Sequence, residues 1–409
     1  MKGEKDMYGL NYRRKQNGFI SSSDQKSAKH SAIIIIFIML TLFSTSLVLP
    51  LLLLTSPITV AVSWLVCLFS IVALILMVKR LSVLILCGIV MLVLVTFTGS
   101  PVLPSLIFGS VISVGAGAAL LLSSKGVKLI PCFILPALSL WISYLATGNL
   151  IASVSSLCVY IPLATLWMSG KINMKRTSCI AMCGGVLVLI TICLIGDLIY
   201  SLYGKLNFQT IALAASRFSD TAVLLFKYSL DTFGEIEVTK AMLGEARAAA
   251  DTLINLSFGI VSAICLVFAY LAQSTELCAL EALGNGDIAT ENARTITASI
   301  PAATIFILAH LISFATDASS KISFAATVAM NIYIMLAPLF ICTGIKTAIA
   351  LPKKRVFAGI LLFLALIIIT FVIPSAFITV IAFVGAFGVM IAQLDAWAKE
   401  HYGKGGNNE

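Results

Sequence analysis

From Ala32 to Leu54 the chain carries no ionisable side chain, and comparable apolar runs recur almost to its end. A hydrocarbon layer about 30 Å thick is crossed by about 20 helical residues rising about 1.5 Å each, so each run is long enough to span a bilayer. Lipid offers no partner to backbone N–H and C=O groups, which leaves helices or a closed barrel as spanning structures. Unbroken apolar runs, unlike alternating ones, select the helix. Hydrophobic residues make up 60% of the chain and charged ones 11%, against roughly 25% charged in soluble domains. The fold class is therefore all-α, a polytopic transmembrane helical bundle. Candidate spans fall at 32–54, 57–78, 81–99, 101–123, 129–147, 150–169, 178–201, 252–272, 297–316, 322–345, 356–373 and 375–394. That gives about twelve crossings, or ten where neighbouring runs merge.

Basic residues orient such a bundle, because Lys and Arg collect on the cytoplasmic side. Twelve crossings place the N-terminal cluster on one side with Lys79-Arg80, Lys125 and Lys128, Lys171, Lys175 and Arg176, and Arg294. Lys346, Lys353, Lys354, Arg355, Lys399 and Lys404 join them, so both termini are expected in the cytoplasm of a bacterial cell with the chain multi-pass in its plasma membrane. The net charge of +9 is thereby read as a topology signal and not as a nucleic-acid surface. Residues 1–31 read as a disordered basic tail and 32–201 as a first transmembrane block of about seven spans. Residues 202–251 read as amphipathic outer-face helices, 252–396 as a second block of about five spans, and 397–409 as a short cytoplasmic tail.

Within 202–251, Ile211, Ala215, Phe218, Ala222, Leu225 and Ser229 repeat at helical spacing, and Arg217, Asp220, Lys227 and Asp231 fall opposite. This predicts a helix lying on the bundle or in the outer lipid interface, followed after Gly234 by a second helix that opens with the Glu237/Lys240 pair. The polar stretch from Ser274 to Thr295, centred on Gly284-Asn285-Gly286-Asp287, reads as a cytoplasmic connection.

Ionisable groups inside apolar runs are costly, so the few present are the candidates for function. His310 and Asn331 sit at comparable depth in adjacent antiparallel runs, with Tyr333 beside Asn331. They are expected either to hydrogen-bond across the helix interface or to meet a solute or a proton. Asp197 and Asp317 lie toward the outer ends of their runs, as interfacial residues or as the lining of a vestibule. Gly109, Ser113 and Gly117 form a small-residue ridge and Gly385, Gly388 and Ala392 a shorter one, both suited to close helix packing. The ten cysteines lie almost entirely in apolar runs; Cys179 and Cys183, one turn apart, lack companions for a metal site. No nucleophile with a positioned base is recognisable, so neither enzymatic activity nor a cofactor is expected.

The amphipathic segment from Leu206 to Asp251, the span after it, the turn Pro352-Lys353-Lys354-Arg355 and the paired apolar runs that follow are similar to the YybS-like family of bacterial membrane proteins. So is the closing string Gln393-Leu394-Asp395-Ala396-Trp397-Ala398-Lys399, where the family places an aspartate–aromatic pair after its final helix. The resemblance extends from about Ile58 to Lys399. It implies a helical bundle related to the substrate-binding components of energy-coupling-factor transporters, with a part in small-solute capture or uptake beside a separate energising ATPase module. The first span lacks the Ala-xxx-Ala ridge of such components, and the chain has about twice their six helices. A non-transporting scaffold or regulator that docks another membrane protein through the outer helices or the basic tail is the alternative.

Overall fold

The structure is a computed structural model that describes residues 22–52, 57–78, 81–123, 130–233, 239–286, 298–317, 324–354 and 374–402. Among these, all regular structure is helical. Among the described residues, eight helices are long and apolar enough to cross a membrane. Shorter apolar helices cover Cys87–Thr96, Ile134–Thr147 and Ile300–Ser313, within three more of the expected spans, and the expected span 356–373 lies outside the described residues.

The chain divides into two compact units, the first comprising Met1–Leu163 with Ser274–Ile288 and the second Ala164–Gln273 with Ala289–Glu409. In the first unit, helices α1 (Ser22–Leu52), α2 (Pro57–Met77), α3 (Leu81–Thr98), α4 (Val102–Ser123) and α5 (Ile130–Thr147) are followed by the short α6 (Leu150–Val154). A 3-10 turn at Ser155–Val159 then leads into α7 (Tyr160–Lys171), which passes into the second unit at Ala164. Helix α1 is the hub, packed on α2, α4, α5 and the 3-10 turn. It starts at Ser22, so the end of the basic tail expected to be disordered is instead a helical extension of the first span.

On its inward face α1 buries Thr41, Thr45 and Ser46 beside Ile34, Ile38 and Val48, while Ile33, Ile36 and Leu40 point outward. Apolar side chains gain nothing by leaving lipid, so they occupy both faces, and the small residues among the inward ones let backbones approach. Hydroxyls tolerate burial because they bond to their own helix, as Thr41 Oγ1 does to the Phe37 carbonyl (2.8 Å) and Ser44 Oγ to that of Leu40 (2.7 Å). Others bridge helices: Ser113 Oγ donates to Thr45 Oγ1 at 3.1 Å, and Ser46 Oγ to Ser139 Oγ at 2.8 Å. The ridge on α4 faces this core. A Cβ on Gly109 would collide with Val66 and Thr45, and one on Gly117 with Leu163.

The second unit contains α8 (Arg176–Tyr203), α9 (Phe208–Phe233), α10 (Lys240–Asn255), α11 (Ser257–Ala282) as far as Gln273, α12 (Ile300–Asp317), α13 (Phe324–Lys354) and α14 (Pro374–Tyr402). Its tightest crossing joins α13 and α14. A Cβ on Gly344 would strike the Ile381 carbonyl, and one on Gly385 the Phe340 carbonyl and the Gly344 nitrogen, while Gly388 lies against Thr347. Asp395 and Trp397 lie inside α14, so they do not follow the final helix as expected. Helix α11 runs to Ala282, so the first part of the expected cytoplasmic connection is helical.

Helices α9 and α10 form an antiparallel pair on their polar and small faces. Ser219 Oγ, itself buried, donates to Asp251 Oδ1 (2.6 Å). Arg247 pairs with Asp220 at 3.1 Å, and because both of these side chains are half-exposed the pair is worth under about 1 kcal/mol. The apolar stripe turns away from this contact and leaves Ile211, Phe218 and Leu225 exposed. It does not cover the bundle. Thr239 caps α10 by accepting from the Met242 N–H (3.3 Å), whereas Glu237 of the expected Glu237/Lys240 pair lies outside the described residues.

The α13–α14 crossing gives a direct test. Gly385→Ala should lower stability by about 3 kcal/mol, because the obstructing atoms are backbone and no rotamer relieves them. Gly185→Ala on α8, where nothing lies within 4 Å, should be neutral or stabilising by up to about 1 kcal/mol. Thermal unfolding of the two detergent-purified variants compares them.

Candidate functional site

Helix α12 carries Phe306 and His310 one turn apart, on the side that meets α13 and α14. Phe306 is fully buried, stacks on Tyr333 (centroids 4.9 Å apart, 23° between planes) and packs at a tilt against Phe340 (4.7 Å) and Phe383 (5.6 Å). The His310 ring lies one turn further along, 4.8 Å from Tyr333 and 4.9 Å edge-on to Phe383. Around them Ala298, Ala303, Ala382 and Ala386 are buried and small. The rings of three helices therefore share one layer, made possible by the close backbones of α13 and α14. The Tyr333 hydroxyl reaches Thr379 Oγ1 only weakly, at 3.4 Å.

His310 Nδ1 is buried and has no hydrogen-bond partner. An imidazole nitrogen left unmet costs about 1–3 kcal/mol, which a phenyl ring in the same place would not. The arrangement offers one donor or acceptor atom surrounded by aromatic faces, so it can hold a proton or bind a small molecule that supplies the missing partner.

The hydrogen bond expected between His310 and Asn331 is not formed. Asn331 faces the other side of α13 and is committed there. Its Oδ1 accepts from the Gly259 N–H (2.6 Å), and its Nδ2 donates to the carbonyls of Asn255 (2.9 Å) and Thr327 (2.8 Å). Asn255 and Gly259 are the two ends of what would be one i to i−4 bond of a continuous helix. The Asn331 amide is spliced into that bond and satisfies both groups, and this is where α10 ends and α11 begins. Gly259 permits it, since a Cβ there would lie 2.7 Å from the Asn331 carbonyl oxygen. Tyr333, two residues on and across the helix, is the partner of His310.

Asp197 is exposed on α8 and meets none of these groups, and the Asp317 side chain lies outside the described residues. Of the five candidates, the structure brings together His310 and Tyr333. Sequence reasoning missed two buried polar side chains on α11, Gln273, whose Oε1 has no hydrogen-bond partner, and Glu276. Glu276 falls in the stretch that its polarity marked as a loop, and Gln273 lies just before it, past the end of the expected span. The absence of Gly and Pro between Gln273 and Leu283 was the available helix signal.

A double-mutant cycle separates the two pairings. His310→Ala with Tyr333→Leu should show a coupling of about 0.5–3 kcal/mol in unfolding free energy, as touching residues do. His310→Ala with Asn331→Ala should be additive to within about 0.5 kcal/mol, with Asn331→Ala alone costing about 1–2 kcal/mol.

Compared with known proteins, the chain matches no family model, no curated protein and no solved structure.

Proposed function

We propose that this protein is a multi-pass membrane protein that binds a small solute at His310 and takes part in its uptake. The observation that carries this reading is the buried, unpartnered Nδ1 of His310 in a layer of aromatic rings. An intramembrane ionisable side chain satisfied by packing alone would be cheaper as Phe, whereas one that meets a solute or a proton repays its cost on binding. The aromatic faces favour a planar solute with a hydrogen-bonding group. Uptake is the role that the YybS-like resemblance implies, with ten to twelve crossings, both termini cytoplasmic and a separate energising module as partner. No covalent chemistry is assigned to the site.

The exposed apolar face of α9 is the feature that a docking scaffold would use. Helix α9 follows directly on the spanning helix α8, so the apolar medium within its reach is the outer lipid interface, and lipid is the occupant we assign to it.

A thermal-shift screen of the detergent-purified protein against nucleobases, vitamins, amino acids and metal ions tests the solute reading. A compound at a hundredfold excess over its Kd should stabilise the protein by about 2.7 kcal/mol. The shift should vanish in His310→Ala and persist in Asp197→Asn. If instead no compound shifts the folded protein and His310→Phe raises stability while uptake is unchanged, the histidine is packing and the reading fails.

A further inference from the structure

The second unit holds a cavity of about 310 Å³ between the start of α8 and the middles of α11 and α13. Its walls are almost wholly apolar, with Ile180, Ala181, Leu266, Val267, Met335 and Leu339 among them. Polar character is confined to Thr177, Tyr270 and Cys342, which mark one end. That end is basic. The Arg176 guanidinium sits 5.0 Å over the Tyr270 ring, and Lys175 stands exposed beside it. Lys346 is exposed one turn beyond Cys342.

A hydrogen-bonding metabolite gains little from such walls, and a purely apolar molecule gains nothing from the cationic rim. An amphiphile with an apolar chain and an anionic head uses both. We propose that this groove binds an anionic phospholipid, with an acyl chain along the cavity and the phosphate at Arg176, Lys175 and Lys346. The volume suits part of one acyl chain, at the lower end of the range for ligand pockets. The charge matches too: Arg176 and Lys346 belong to the basic loops expected on the cytoplasmic side, where anionic lipids concentrate and basic pockets between spans hold their head groups.

Native mass spectrometry of the whole protein in detergent, titrated with phosphatidylglycerol or with phosphatidylcholine of the same acyl chains, reads the site. Phosphatidylglycerol adducts should exceed phosphatidylcholine adducts, and Lys346→Gln should lower phosphatidylglycerol binding roughly fivefold, the worth of one basic residue at a membrane surface of about 1 kcal/mol. Lys346 is exposed, so this variant should melt like the parent, and Ala181→Phe, which fills the cavity, should remove the adducts while leaving the rim intact. Equal retention of the two lipids, or phosphatidylglycerol binding untouched by both variants, would overturn the proposal. Inorganic phosphate displacing phosphatidylglycerol at equal concentration would also overturn it, because the site would then be one for a free anion.

Discussion

Close approach of backbones in lipid is the constraint on which the second unit depends. Where the surroundings are as apolar as Leu, helices hold together by van der Waals contact over short distances and by a few polar links worth about 0.6 kcal/mol each on average. Gly344 and Gly385 bring α13 and α14 into backbone contact, with Gly388 against Thr347 extending the seam. Tyr333 and Phe340 on one helix then stand next to Phe383 on the other, leaving a gap that Phe306 and His310 of α12 fill. The aromatic layer is a consequence of the glycine crossing.

The two units treat buried polarity differently. In the first the buried polar side chains are mostly serine and threonine, and several of their hydroxyls turn back onto carbonyls of their own helix or reach one another across α1, α4 and α5. Such groups are buried at little cost and confer no charge. The second unit buries larger polar groups with more at stake. Asn331 is fully used at the α10–α11 break, where it joins two helix ends to a third helix. His310 is not, and that contrast within one unit distinguishes a structural polar side chain from one with capacity to spare.

How much of this was legible in the sequence follows from what each signal reports. Helical, membrane-like character was plain, because unbroken apolar runs have few other solutions. The Gly109, Ser113, Gly117 ridge was legible because a four-residue period fixes a helix face without knowledge of the neighbour. The depth of His310 was legible by counting from the helix end; its partner was not. Asn331 and Tyr333 lie at nearly the same depth but on opposite sides of α13, and which side meets α12 is decided by topology. Polarity misled at Gln273 and Glu276 and again at Asp395 and Trp397, where helices continue past the apolar run. Composition sets where lipid ends, and backbone hydrogen bonding sets where a helix ends. Amphipathicity located α9 correctly, but a hydrophobic stripe does not say whether protein or lipid covers it.

The measurement that tests the account most directly is the NMR spectrum of ring-labelled histidine in lipid nanodiscs. The chain has only three histidines, so the His310 signals are assigned by the one set lost in His310→Gln. Ring currents from Tyr333 and Phe383 should move the His310 carbon-bound protons well upfield of their exposed positions, and Tyr333→Leu should return them part of the way. Imidazole protons at exposed-histidine positions, unmoved by Tyr333→Leu, would mean that the aromatic layer does not form around His310 and would contradict the site.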